Sequence, residues 1–283
     1  MSGFPPPKDG IELGHLADSA QNNLAYTGSI TWRIVCSMDI YLAVLFGFLT
    51  LFLLYQIAEA NGLDILHIPP KPLSTFLLFI VVVVAADLVA RLQKANGLAA
   101  YSMGFNSSWW QHYLFGVLLG VTAQGVLESI GLLFRVREVS DFRFSLTALS
   151  GNFLWILFAN FPAAAAEDLI TRGYPFRFMQ DAPFIVFVIL STSLYVINHI
   201  LRLATKPITD WYHLPFTGLT LAYALARTDS LWFVIGLHQS GNVIYYMMRQ
   251  MMQVKNIENI RRRMTYGIAS ELVFLVIVIL FIH

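Results

Sequence analysis

The chain has 283 residues, of which 57% are hydrophobic and 12% charged, and its net charge is only +1. Soluble domains carry about 25% charged residues, so this composition favours a membrane protein. The near-zero net charge argues against a nucleic-acid partner, and the single cysteine, Cys36, excludes an intrachain disulfide and a multi-cysteine zinc site.

The composition of residues 1–30 predicts a polar tail, which could include a short interfacial helix. The same residues lack the pattern of a signal peptide. Residues 31–283 predict a single transmembrane domain, because apolar stretches of about 20 residues recur along them. These stretches lie near 37–58, 73–93, 112–134, 150–178, 183–201, 214–227, 231–251 and 264–282. Their continuous apolar character favours helices over barrel strands. We therefore predict an all-α, polytopic membrane helix bundle with about eight transmembrane helices, in a bacterial plasma membrane or a eukaryotic endomembrane.

A pair of small residues marks the third predicted span. Gly116 and Gly120 are four residues apart, so they lie on the same face of a helix. Because glycine has no side chain, a neighbouring backbone can approach closely at both positions. The pair therefore predicts a close helix–helix contact.

Three groups of polar residues lie within predicted spans, where a charged side chain costs at least about 2.5–3.5 kcal/mol on insertion scales. They are, in chain order, Glu167, Asp168 and Arg172 of the fourth span, Tyr195 and His199 of the fifth, and His238 and Asn242 of the seventh. Each group contains a pair of residues four apart, which share one helix face. We predict that the three helices present these side chains to a common interior point.

This set of side chains is sufficient to hydrolyse a peptide bond. A shielded carboxylate such as Glu167 could act as general base toward a water molecule, and a histidine could share that water. A second histidine and an asparagine amide could donate hydrogen bonds to the tetrahedral oxyanion, a role worth about 2.7–4 kcal/mol per donor elsewhere. Asp168 and Arg172 could form an ion pair, which lowers the cost of burying both charges.

The three groups form, in order, the motifs E-[E/D]-x-x-x-R-G, aromatic-x-x-x-H and H-x-x-x-N. This set resembles the signature of the CPBP family of intramembrane proteases, also called Abi or type II CAAX prenyl endopeptidases, over a core at about 110–250. The resemblance implies that Glu167 and His199 activate the water and that His238 and Asn242 form the oxyanion hole. It also implies a membrane-associated peptide or lipidated protein as substrate, such as a prenylated CAAX tail.

The resemblance gives supporting roles to three further residues. Asp168 and Arg172 would shape the helix that carries the first motif. Asp168 stands where the family usually has a second glutamate, and Tyr195 stands where it usually has phenylalanine. Neither change removes a residue that is assigned to the chemistry.

Two mechanisms are compatible with the resemblance, one with a bound metal and one without. We favour the metal-free, glutamate-type mechanism and expect no cofactor. One carboxylate and two histidines are few ligands for zinc once one histidine serves the oxyanion. If a zinc ion is bound, its ligands would be Glu167, His199 and His238.

Two functions of other classes would also place polar residues inside predicted membrane spans. One is a non-proteolytic membrane scaffold, regulatory or immunity protein that retains the fold, and the other is a small-solute carrier. Buried ionisable groups serve transport as well as catalysis, but the chain shows no paired broken helices in corresponding halves. The joint presence of Glu167, His199, His238 and Asn242 argues against a degenerate scaffold.

Overall fold

The computed structural model describes residues 41–59, 72–139, 146–202, 212–252, 254–256 and 259–282. The chain divides into two units, Met1–Gly47 and Phe48–His283. In the first unit, residues 41–47 are described, and they are helical. The predicted tail at 1–30 lies outside the described residues, and the predicted domain boundaries stay predictions.

Helices account for almost all of the regular structure in the described residues. They are α1 (Tyr41–Glu59), α2 (Pro72–Leu92), α3 (Trp109–Leu133), α4 (Leu146–Asp168), α5 (Tyr174–Phe178), α6 (Phe184–Arg202), α7 (Leu214–Thr228), α8 (Leu231–Met252) and α9 (Ile260–Phe281). A 3₁₀ turn at Gly97–Tyr101 follows α2, and a π-helical segment at Leu169–Gly173 joins α4 to α5. With the short α5 set aside, eight helices remain, which confirms the predicted helical bundle and is consistent with its count.

The surface of these helices is that of a membrane protein. Four of the described helices, namely α1, α3, α6 and α9, are long and apolar enough to cross a bilayer. Large apolar side chains stand exposed on them, such as Leu118 (57%), Ile189 (59%) and Leu280 (65%). Exposed apolar surface of this extent is unfavourable in water and favourable against lipid chains. The protein is an integral membrane protein.

Helices α3 and α8 pack closely together around the glycines of α3. A methyl group at Gly116 would collide with the carbonyl oxygen of Phe233, and one at Gly120 would collide with the Ser240 hydroxyl. The prediction of a close helix contact at this glycine pair is confirmed. The later glycine of α3 meets the later residue of α8, so the two helices run in the same direction. Helix α8 also packs against α4 and α7.

The connections after α3 and α8 are tied by a small sheet. Strand β1 (Arg137–Val139) pairs antiparallel with β2 (Val254–Asn256), with Glu138 opposite Lys255. At the same end, Arg137 forms an ion pair with the buried Glu128 of α3. These two short strands are absent from the sequence-based prediction, because three residues are too few to carry a strand pattern.

Candidate functional site

The segment that carries the first motif changes helix type at the site. The alanines at 164–166 are nearly inaccessible, and their small side chains let neighbouring helices approach closely. Beyond α4, Leu169–Gly173 is π-helical, with the N–H of Tyr174 donating to the carbonyl of Leu169. π-helical turns inside helices occur frequently at functional sites. The predicted span 150–178 is therefore helical throughout, but the sequence pattern did not predict its π segment.

Glu167 is surrounded by polar groups from α1 and α6. The Tyr55 hydroxyl donates to its Oε2 at 3.1 Å, and the Asn198 amide donates to its Oε1 at 3.3 Å. The Nδ1 of His199 lies 3.3 Å from the same Oε1. That nitrogen is also 3.0 Å from the carbonyl oxygen of Tyr195, one turn earlier. The carboxylate of Glu167 and the imidazole of His199 are thus in direct contact.

Asp168 pairs with two basic side chains. Arg172 donates to its Oδ1 as a buried ion pair, and the Nδ1 of His238 lies 3.2 Å from each of its two oxygens. Asp168 and Arg172 are both fully buried. Arg172 also donates to the Thr171 hydroxyl at 3.0 Å, whereas its Nε and Nη2 have no hydrogen-bond partner within the described residues. Asp168 therefore holds a histidine of α8 as well as the arginine of its own segment.

The ring of Tyr195 lies near both histidines. Its centroid lies 4.3 Å from that of His199 and 6.3 Å from that of His238. The guanidinium carbon of Arg172 lies 4.6 Å from the same ring centroid, a cation–π contact. Residues of all three predicted motifs therefore lie around one aromatic ring, and the catalytic roles predicted for them stay predictions.

Access to the site differs from residue to residue. Asp168 and Arg172 are inaccessible, whereas the side chain of His199 is 19% exposed. Asn242 lies one turn after His238 on α8 and is half-buried. His199 and Asn242 are therefore more accessible than the buried ion pair.

Three residues at the site were not assigned by the sequence analysis. Tyr55 contacts Glu167 directly, and the side-chain amide of Gln56 donates to Oδ1 of Asn198 at 2.6 Å. Asn198 directly precedes His199 within a predicted span, and this neighbourhood was a usable signal. Tyr55 and Gln56 had no such signal, because 112 residues separate Tyr55 from its partner Glu167.

The positions of the three candidate zinc ligands can be compared with the geometry of a zinc site. In the part of the chain that the structure describes, no three His, Cys, Asp or Glu side chains are grouped as a metal site. The Nδ1 atoms of His199 and His238 instead face the carboxylates of two different residues. A zinc ion requires all its ligands at about 2.0–2.3 Å from one point. The choice between the metal-free and the zinc mechanism stays a prediction, and the proposed steps use no metal.

Part of the chain that carries these residues matches a known protein family. Residues 149–244 match the family described as Type II CAAX prenyl endopeptidase Rce1-like. All three motifs lie inside the matched segment, and the resemblance predicted from them is confirmed. No curated protein and no solved structure matches the chain. The match supports a membrane protease with a membrane-associated protein substrate in general.

Proposed function

We propose that this protein is an intramembrane endopeptidase that uses a water molecule activated by Glu167 and His199. The observation that carries the proposal is the 3.3 Å contact between the carboxylate of Glu167 and the imidazole of His199, inside the Rce1-like segment. A carboxylate–imidazole pair of this kind is a common arrangement for general base catalysis. Glu167 would take a proton from the attacking water and deliver it to the leaving amine. The water oxygen joins the carbonyl carbon, and the C–N bond breaks.

His238 and Asn242 would stabilise the tetrahedral oxyanion from α8. The Nδ1 of His238 faces the oxygens of Asp168, so the nitrogen that donates to the substrate must be Nε2. A histidine that donates from both nitrogens is an imidazolium. The carboxylate of Asp168 is the natural counter-ion of this form, which assigns Asp168 an electrostatic role beyond shaping its helix.

The substrate would be a membrane-associated peptide or lipidated protein, with a prenylated CAAX tail as the first candidate. Phe158 of α4 and Ile189 and Ile197 of α6 are exposed apolar side chains, so a lipid-anchored chain would approach these two helices through the bilayer. The more accessible residues, His199 and Asn242, belong to the two halves of the proposed machinery, water activation and oxyanion binding.

Cleavage of a prenylated CAAX peptide by the purified protein tests the proposal. We expect Glu167→Gln to lower kcat at least about a hundredfold, because general base catalysis contributes that much or more. His238→Ala should lower kcat about 10²–10³-fold, the usual effect of losing one oxyanion donor. Asp181→Asn, a substitution of an exposed carboxylate between α5 and α6, is the control and should retain activity. Full activity of Glu167→Gln would refute the mechanism.

A further inference from the structure

The end of the bundle where α3 ends and α9 begins carries three exposed arginines, which we call the basic patch. Arg135 follows α3, and Arg261 and Arg262 lie in the first turn of α9. Within the described residues, no carboxylate forms an ion pair with any of the three. The Nη2 of Arg262 donates to the carbonyl oxygen of Phe134 at 2.6 Å, which brings the start of α9 next to Arg135. The three positive charges therefore share one small surface.

The other charged groups at this end do not neutralise the basic patch. The carboxylate of Glu128 is buried and forms an ion pair with Arg137. Glu138 and Lys255 are opposite each other across the two strands, and their formal charges cancel. Among the described residues at this end of the bundle, an excess of positive charge therefore remains on the surface.

The stability of α9 does not account for the arginines at its start. The N–H groups in the first turn of a helix carry a partial positive charge, so cations are unfavourable there. The first turn of α9 contains no acidic residue that would compensate this effect. Asn259 already caps the helix, because its side chain accepts a hydrogen bond from the N–H of Arg262. The position of the arginines therefore favours a negatively charged partner outside the chain.

Exposed apolar side chains adjoin the basic patch. They are Leu133 and Phe134 at the end of α3 and Ile260 at the start of α9. The opposite end of α3 carries Trp109 and Trp110, and tryptophan is enriched where a membrane meets water. Because α3 is long and apolar enough to cross a bilayer, we expect its Leu133 end at the other interface. A surface with cations and apolar side chains at this level fits a lipid with a charged headgroup.

We propose that the basic patch and its apolar neighbours bind an anionic phospholipid. The arginines donate hydrogen bonds to the phosphate, because a planar guanidinium matches the geometry of phosphate oxygens. The apolar side chains contact the acyl chains. A zwitterionic lipid has the same phosphate but adds a cation, which the arginines repel. The patch therefore distinguishes anionic from zwitterionic lipids, and this role is independent of the proposed catalytic site.

Lipid titrations of the purified protein in neutral detergent micelles test the proposal, with bound lipid measured by native mass spectrometry. The probes are phosphatidylglycerol and phosphatidylcholine with identical acyl chains. We expect phosphatidylglycerol to bind more tightly. Its affinity should fall as the NaCl concentration rises, because salt screens exposed charges. Equal affinities for the two lipids would overturn the proposal.

The double variant Arg135→Gln, Arg261→Gln removes two side chains that form no hydrogen bond within the described residues. The affinity for phosphatidylglycerol should fall at least about fivefold, because one arginine near an anionic surface contributes about that factor. The control Arg91→Gln, Arg227→Gln removes two exposed arginines near the starts of α3 and α8, at the opposite end of the bundle. It should retain the preference. Unchanged affinity in the first variant, or an equal loss in the control, would overturn the proposal.

Two soluble competitors separate a lipid from other anions. Glycerophosphoglycerol is the same headgroup without acyl chains, and polyglutamate represents an acidic protein segment. Neither should displace bound phosphatidylglycerol at equal concentration. Displacement by the first would assign the patch to a free phosphate and displacement by the second to an acidic protein, and either result contradicts the proposal. None of these measurements uses turnover, so a failure of the cleavage assay leaves them intact.

Discussion

Asp168→Asn should destabilise the protein far more than a substitution of the same kind at an exposed ion pair. Asp168 and Arg172 are fully buried, and the substitution leaves the cation of Arg172 without its counter-ion. Two nitrogens of Arg172 already have no hydrogen-bond partner among the described residues. Few other contacts therefore compensate the charge of the guanidinium once Asp168 is neutral. Breaking a buried ion pair from one side costs about 3–5 kcal/mol. Asparagine keeps an acceptor oxygen, which favours the lower end of that range.

Thermal unfolding of the purified protein in detergent measures this effect. A loss near 3 kcal/mol should lower Tm by roughly 6–12 °C for a chain of this size. The matched control is Asp87→Asn, which removes another ion pair between residues four apart. There the side chains of Asp87 and Arg91 are 31% and 63% exposed, so solvent screens the pair and Tm should change little.

A double variant separates the charge from the packing. Adding Arg172→Met to Asp168→Asn removes the uncompensated cation and keeps a long apolar side chain in its place. Apolar replacements of buried ion pairs are often neutral or stabilising, so most of the lost stability should return. Equal drops in Tm for Asp168→Asn and Asp87→Asn, or no recovery in the double variant, would refute the reasoning from burial.

Three further predictions concern packing, the aromatic ring and the metal. Gly116→Ala should cost about 1–3 kcal/mol of stability by forcing α3 from α8. Gly125→Ala on the same helix meets nothing within 4 Å and should be neutral or stabilising, as unfolding curves of both will show. Tyr195→Phe keeps the ring over Arg172 and should retain cleavage activity, whereas Tyr195→Leu removes a cation–π contact worth about 0.5–2 kcal/mol and should lower Tm. A chelator titration of the cleavage assay should leave the rate unchanged, and a loss of activity restored by zinc would contradict the metal-free mechanism.

The positions of the helices and the contents of each motif were predictable from the sequence. Apolar stretches mark the helices, and residues four apart share a face, which accounts for the pair of Asp168 and Arg172. The contact of Asp168 with His238 was not predictable, because 70 residues separate them. The π-helical segment at Leu169–Gly173 was not predictable either, since its local residue pattern does not differ from that of an α-helix.

The amino-acid sequence alone determined that this protein resides in a membrane as a helical bundle with three polar motifs. Hydropathy and helical periodicity are local properties, and the high cost of a buried charge makes each motif conspicuous. Only the tertiary structure decided which partners the charges have. It placed His199 against Glu167, His238 against Asp168, and Tyr55 between Glu59 and Glu167. Such pairings depend on how helices distant in the chain are packed, and no local pattern encodes the choice of neighbour.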